Sequence, residues 1–156
     1  MFAFLAGFAF RETARAHLPV GQFSKNIWRG LLLPTVISIL AFAAFATLIN
    51  TPFAIRDVWD VAALLVMPYA HYWFIMALTL ILFLAFLLAR VTGGDPVVPL
   101  ALGALVMLVF PFRIEPNIWA VSNSLILLPV FTAGLLFARH ADAVLARARI
   151  LLPVAL

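Results

Sequence analysis

Long apolar stretches, rather than any short motif, most constrain how this chain folds. Four segments have no Asp, Glu, Lys or Arg near their middles, and they run over residues 31–49, 70–89, 97–112 and 118–138. A helix that crosses a bilayer needs about 20 mostly apolar residues, because the hydrocarbon core is about 30 Å thick. The pattern therefore predicts an all-α integral membrane helix bundle with four full transmembrane helices.

Composition supports this class of protein. The 156 residues are 67% hydrophobic and 10% charged, whereas a soluble domain has about 45–50% apolar and about 25% charged residues. Segments 1–10 and 150–156 share the apolar character but are too short to span. We expect one domain over 1–156 with both ends cut from a longer bundle. Residues 61–69 are apolar too, and Pro68 favours an interfacial or re-entrant segment there.

The basic residues alternate between the connections. Segments 11–30, 90–96 and 139–149 hold eight Lys or Arg, whereas segments 50–69 and 113–117 hold two. Cytoplasmic loops carry the excess of Lys and Arg in membrane proteins. The first three segments are therefore predicted to be cytoplasmic loops of a multi-pass protein in the cell inner (plasma) membrane. Membrane lipid is the first expected partner.

Several classes of function are excluded or disfavoured. The chain has no cysteine, so disulfides and Cys-based metal sites are excluded. His17, His71 and His140 do not have a metal-ligand spacing, and we expect no metal and no bound cofactor. The net charge of +4 lies in short connections rather than on a basic stripe with aromatic residues, so nucleic acid is not an expected partner.

The segment 11–30 contains the strongest charge cluster. Its basic residues are Arg11, Arg15, Lys25 and Arg29. One interpretation is orientation in the membrane and contact with anionic lipid headgroups. The other is a site for a phosphate-bearing cytosolic substrate, which Arg and Lys would hold through charge-assisted hydrogen bonds.

Two further clusters have two interpretations each. His71, among the aromatic residues Tyr72 and Trp73, is either an interfacial residue or a group that positions or deprotonates a hydroxyl, since histidine titrates near physiological pH. The run Ser122-Asn123-Ser124 either forms hydrogen bonds between helices or lines a polar cavity. The spans lack ionisable groups near their midplane, which argues against a complete transporter.

Several segments, taken in order, resemble the acyltransferase 3 family. Residues 2–11 form a Phe-rich run like the family's second helix, with Ala6 where Ser is common. Residues 23–34 are similar to the basic segment that enters the third helix and ends in Leu-Leu-Pro. The sequence His71-Tyr-Trp-Phe is similar to a His-Leu-Trp-Phe-Leu motif, and residues 128–139 resemble a late helix with a Pro-Phe-Phe-x-x-Gly pattern.

The resemblance implies a function and roles. Family members are thought to transfer an acyl group from cytosolic acyl-CoA to a carbohydrate hydroxyl of the cell envelope, so acyl-CoA and an envelope sugar are expected partners. The resemblance implies that Arg11, Arg15, Lys25 and Arg29 bind the acyl-CoA phosphates. It implies that His71 and Trp73 shape the acceptor side or the helix packing. The family's proposed catalytic His lies on a first helix that would precede Met1, and its Arg-x-x-Arg pair is absent.

The resemblance favours a membrane acyltransferase that is a partial family member. His71 is the one catalytic candidate left in this sequence. The alternatives are a non-enzymatic membrane subunit, held to a membrane-protein partner by lateral packing, and a transporter fragment. The acyl group and the acceptor sugar stay open.

Overall fold

The computed structural model describes most of the chain. The described residues are 1–13, 18–51, 54–67, 72–110, 113–115 and 117–151. Side chains of residues 11–13, 58, 65 and 142–151 are outside the description as well. Within these ranges the secondary structure is helical, and no strand occurs among the described residues. The predicted all-α class is therefore confirmed.

Seven α-helices, one π turn and one 3₁₀ turn make up the described part of the chain. In order they are α1 Phe2–Thr13, α2 Val20–Ile27, the π turn Trp28–Leu32, α3 Leu33–Leu48, α4 Val58–Val66, α5 Trp73–Val91, α6 Val97–Val109, the 3₁₀ turn Ile118–Ala120 and α7 Val121–Leu151. Helix α2, the π turn and α3 form one continuous helix, Val20–Leu48, which we call the arm helix.

Three helices among the described residues are long and apolar enough to cross a membrane. They are Val20–Leu48, Trp73–Val91 and Ile118–Ala141. Helix α6 has 13 residues and is about 20 Å long at 1.5 Å per residue, which is shorter than the hydrocarbon core. The predicted count of four full spans is therefore not confirmed, although the membrane class is.

Two predicted loops are wrong in part. The segment 11–30 was expected to be a cytoplasmic loop, but residues 20–30 are helical and extend the first span by eleven residues. The segment 139–149 was also expected to be a loop, but α7 continues to Leu151 without a break. Charged residues end an apolar stretch without ending a helix, since Arg and Lys are good helix formers.

Pro34 explains the π turn. Proline has no N–H to donate to the carbonyl four residues earlier, here that of Gly30, and its ring crowds that carbonyl. The helix widens just before the proline, and the N–H of Leu33 donates to the carbonyl of Trp28, five residues back. Single wide turns of this kind are rare and often lie at functional sites.

Helix α4 starts at a reciprocal cap. The Asp57 carboxylate accepts from the backbone N–H of Asp60, and the Asp60 side chain accepts from the N–H groups of Arg56 and Asp57. Both carboxylates accept hydrogen bonds from backbone N–H groups that have no partner within the helix. The nine-residue helix ends at Val66, before Pro68. Whether it is interfacial or re-entrant stays a prediction, and residues 68–71 lie outside the described part.

Helix α7 lies at the centre of the bundle, where α1, α5 and α6 pack against it. The closest approach is to α1. A Cβ on Gly7 would overlap the backbone carbonyl of Phe131, and a Cβ on Gly134 would overlap the backbone carbonyl of Phe4. Buried Ala3 completes the small-residue face of α1. Small residues four apart let membrane helices meet backbone to backbone.

The arm helix runs antiparallel to α5. Near its start, Phe23 stacks on Phe86 with ring centroids 4.0 Å apart. Near its end, the Tyr72 hydroxyl donates to the Ser38 carbonyl at 3.3 Å. The two helices therefore touch at these two places, and the π turn between them also contacts α5.

Candidate functional site

An apolar groove of about 250 Å³ opens between the arm helix and α5. Trp28 and Ile39 line it from the arm helix, Met76 lines it from α5, and Trp119 comes from the 3₁₀ turn. Thr35 also lines the groove, but its hydroxyl donates to the Leu31 carbonyl at 2.7 Å. The groove therefore offers hydrocarbon contacts and no free hydroxyl from Thr35.

Two cationic residues lie close to Trp28 along the arm helix. Lys25 lies in the last turn of α2, and Arg29 lies in the π turn directly after Trp28. Both are exposed. Among the residues whose side chains are described, neither has a carboxylate within ion-pair distance. These two residues leave positive charge available at the surface beside an apolar opening.

Trp119, which lines the groove, sits in a strained turn. Trp119 has φ 53° and Ala120 has φ 55°. A bulky side chain rarely adopts this left-handed conformation, because the Cβ crowds the backbone, and it costs about 1–3 kcal/mol. Such strain persists only where the surrounding contacts hold it.

A group of hydrogen bonds around Ser122 supplies those contacts. The Ser122 hydroxyl donates to the Ile114 carbonyl and accepts from the Ile114 N–H, both at 2.7 Å. The Asn117 side chain accepts from the Ser122 N–H at 2.9 Å and donates to Asn123. The run Ser122-Asn123-Ser124 thus ties a loop to the start of α7. These bonds are local, so the predicted helix-to-helix role is not what the described contacts show.

A salt bridge lies beyond the C-terminal end of α5. Arg139 of α7 donates to the Asp95 carboxylate at 2.8 Å, and both side chains are about half exposed. The same carboxylate accepts from the Val97 N–H at 3.0 Å, at the start of α6. Asp95 therefore links the loop between α5 and α6 to α7. A pocket of about 190 Å³, which Phe10 also lines, lies beside this link.

The six predicted site residues fall into different regions. Arg15 and His71 lie outside the described residues, and the side chain of Arg11 does as well, although its backbone belongs to α1. Lys25 and Arg29 lie together at the Trp28 end of the groove. The roles proposed for all of them stay predictions.

Trp73 starts α5 and is partly buried. Its ring meets Phe74 edge to face at 6.0 Å, and it packs against the buried cluster that contains Ile39 and Met76. Since the arm helix is antiparallel to α5, Trp73 lies at the other end of the helix pair from Lys25 and Arg29. The predicted donor side and acceptor side are therefore separated along the bundle.

Sequence reasoning missed Trp119 and Met76 as groove residues. Trp119 and Met76 belong to the predicted spans 118–138 and 70–89, and neither was singled out from its sequence. The polar residues Asn117 and Ser122 around Trp119 were the available signal of a constrained turn. Among the described residues, no group of three His, Cys, Asp or Glu could hold a metal ion.

Comparison with known proteins gives one match. The acyltransferase 3 family model, described as an acyltransferase domain, matches residues 1–156. Neither the curated proteins nor the solved structures give a match.

Proposed function

The chain belongs to the acyltransferase 3 family, and from that premise we propose that it transfers an acyl group from acyl-CoA to a hydroxyl of a cell-envelope sugar. Membership supports the acyltransferase role, and the apolar helices make it a membrane protein. The donor and the acceptor are proposed from the chemistry of the two ends of the bundle.

The observation that carries the donor assignment is the pair Lys25 and Arg29 beside the apolar groove. An acyl-CoA has phosphates at one end and a hydrocarbon chain at the other. Exposed cations bind the phosphates by charge-assisted hydrogen bonds, while the groove between Trp28 and Trp119 removes the acyl chain from water. Arg11 and Arg15 belong to the same proposed phosphate site on the resemblance alone.

We assign the Lys25 end of the bundle to the cytoplasmic face of the inner membrane. Phe86 contacts both Phe23 of α2 and the Arg90 guanidinium, which lies 5.8 Å from its ring centroid. Lys25 and Arg90 are therefore at the same end, as the positive-inside rule expects. Asp95 and Arg139 lie at this end of the bundle as well, and a cytosolic acyl donor would approach this face.

The transfer itself joins the acyl carbon to the sugar oxygen. The hydroxyl oxygen attacks the thioester carbonyl, its proton passes to a base, and the coenzyme A thiolate leaves and takes up a proton. On the resemblance, His71 and Trp73 shape the acceptor side, against which a sugar ring would pack. His71 is the candidate for the base because histidine titrates near physiological pH, and not because the family motif assigns it that role.

The donor proposal is tested by binding in detergent. The double variant Lys25→Gln with Arg29→Gln should raise the Kd for acyl-CoA at least tenfold, since a hydrogen bond to a charged group contributes about 1.5–3 kcal/mol. Binding by the unmodified chain should also weaken as salt rises.

Arg113→Gln is the matched control, because Arg113 is exposed and does not line the groove. Salt-insensitive binding that the double variant leaves unchanged would refute the phosphate site. No acyl-CoA binding by the unmodified chain would favour a non-enzymatic membrane subunit or a transporter fragment.

A further inference from the structure

A second pocket, apart from the apolar groove, lies where the chain turns from α5 into α6. Its volume is about 190 Å³. Asp95 and Val97 line it from the turn and the start of α6, Phe10 lines it from α1, and Leu135 and Arg139 line it from α7. Helices α1, α6 and α7 therefore meet around one small space.

The turn that forms one wall of this pocket has a defined backbone. Gly93 and Gly94 have φ of 72° and 115°, in the region that glycine adopts without strain. The Gly94 N–H donates to the Ala89 carbonyl at 2.6 Å. The Thr92 hydroxyl donates to the Asp95 carbonyl at 2.6 Å. These bonds hold Asp95 in place beside α7.

The lining is apolar on one side and charged on the other. Phe10, Val97 and Leu135 are buried. Arg139 and Asp95 supply the charged side, and both side chains are about half exposed. Apolar walls give a polar group no hydrogen bond in place of those it had with water. The pocket therefore suits a small charged group that is attached to carbon.

The Arg139 guanidinium has donors available for such a group. A guanidinium offers several N–H donors in a rigid fork that matches carboxylate and phosphate. Nη1 of Arg139 donates to the Asp95 carboxylate at 2.8 Å, and Arg139 makes no other hydrogen bond to a described residue. The Asp95 carboxylate also accepts from the Val97 N–H, so the acid has more of its partners than the base has.

Location and size favour a phosphate. Arg139 lies near the end of the apolar helix Ile118–Ala141, and basic pockets between helices at the membrane surface bind phosphate-bearing headgroups. A cavity of about 150 Å³ holds a benzene ring. The pocket of about 190 Å³ therefore has room for a phosphate and the first carbons of its ester.

We propose that this pocket binds a phosphate ester at the membrane surface through Arg139, and that Asp95 competes with the phosphate for the guanidinium. A carboxylate and a phosphate bind a guanidinium in the same way, so the Asp95 oxygen holds a position that a phosphate oxygen would take. The site is separate from Lys25 and Arg29, and the proposal goes beyond the proposed acyl transfer.

Two sources of the phosphate share this chemistry. One is the headgroup of an anionic lipid, and the other is a phosphate of coenzyme A. The test therefore measures binding of phosphatidylglycerol and of coenzyme A to the full chain in dodecyl maltoside, by native mass spectrometry over a series of concentrations. Binding of either ligand should depend on Arg139.

The two halves of the salt bridge should have opposite effects on binding. Arg139→Gln should weaken binding about tenfold or more, because a charged hydrogen-bond donor is lost. Asp95→Asn should strengthen it about two- to fivefold, because a competing negative charge is removed. Both variants break the same salt bridge, so damage to the fold would weaken binding in both and cannot imitate this result.

Arg90→Gln is the matched control. Arg90 lies at the same end of the bundle, but its guanidinium lies over the Phe86 ring at 5.8 Å and does not line the pocket. This variant should leave binding unchanged. A loss as large as that of Arg139→Gln would show diffuse attraction to surface charge and overturn the proposal.

The remaining outcomes are equally distinct. Dependence on Arg139 for phosphatidylglycerol alone assigns the site to lipid, and dependence for coenzyme A alone assigns it to the coenzyme; both support the proposal. If neither ligand depends on Arg139, the phosphate site is refuted. If Asp95→Asn leaves binding the same or weaker, the competition is refuted.

Failure here is separable from failure of the proposed function. The double variant of Lys25 and Arg29 should leave phosphatidylglycerol binding at this pocket unchanged. If that double variant also has no effect on acyl-CoA binding while the Arg139 effect remains, the donor proposal falls and the phosphate pocket stands.

Discussion

Helices α1 and α7 approach until backbone meets backbone, whereas the arm helix is less buried and has an apolar groove between it and α5. In the most apolar stretch of the arm helix 22% of the residues are buried, against 44% in α5. The tight pair has Gly7 facing Phe131 and Gly134 facing Phe4. The loose pair has a proline-induced π turn and an apolar groove.

The difference teaches where stability and function lie. Membrane helices gain little from leaving lipid, so they associate through close packing and hydrogen bonds. The α1–α7 pair packs in this way at Gly7 and Gly134. The arm helix is less buried than α5, and the groove beside it is the space that a substrate chain would occupy.

The largest test of this comparison removes a ring from each pair. Phe131 is fully buried, whereas Phe45 of the arm helix is 58% exposed. Phe131→Ala should lower the free energy of unfolding by about 3 kcal/mol, because it leaves a cavity, and Phe45→Ala by less than about 0.5 kcal/mol. Unfolding in mixed micelles titrated with SDS measures both. Similar losses would mean that the arm helix is packed as tightly as α7.

A smaller effect is expected from adding a single methyl group. Gly7→Ala should lower the free energy of unfolding by about 1–3 kcal/mol, since its Cβ would overlap the Phe131 carbonyl and force the helices apart. Gly30→Ala is the matched variant in the arm helix, where no atom lies within 4 Å of the added Cβ.

Gly30→Ala should be neutral or stabilise by up to about 1 kcal/mol, because alanine favours helix over glycine. The same SDS titration compares the two variants. Equal stability of Gly7→Ala and the unmodified chain would show that α1 and α7 do not meet at this glycine.

The smallest effect concerns the exposed link beside the tight pair. Asp95→Asn should lower the free energy of unfolding by about 0.5 kcal/mol, since a half-exposed ion pair is screened by solvent. The side-chain amide oxygen of this variant can still accept from the Val97 N–H, so the start of α6 should survive. A loss that is several times larger and insensitive to salt would show that Asp95 is needed for more than this salt bridge.

The sequence predicted the class of fold, because apolar length is a direct consequence of bilayer thickness. It could not predict where helices end, since Arg139 and the residues near Lys25 are compatible with continued helix. The span that the sequence predicted over 97–112 is not confirmed as a full span, because helix α6 ends at Val109, just before Phe110 and Pro111, and is too short to cross the hydrocarbon core.

The residues of the candidate site also divide into those that the sequence predicted and those that it did not. Lys25 and Arg29 were predicted from charge alone, and the structure places them together. Trp119 was not, because its role depends on a left-handed turn and on the distance to the arm helix, which are tertiary properties. Gly7 and Gly134 lie in two of the segments that resemble the family. Their role in close packing could not be predicted, because it depends on the contact of each glycine with the backbone of the other helix.

Helix α7 is longer than the membrane is thick. Its 31 residues extend about 46 Å at 1.5 Å per residue, against a hydrocarbon core of about 30 Å. In the proposed orientation, with Arg139 at the headgroup level, the residues that follow it up to Leu151 form a helical post that extends about 18 Å beyond the hydrocarbon core. The post makes insertion depth measurable: a fluorophore at its far end would report how the bundle tilts when the bilayer becomes thinner or thicker.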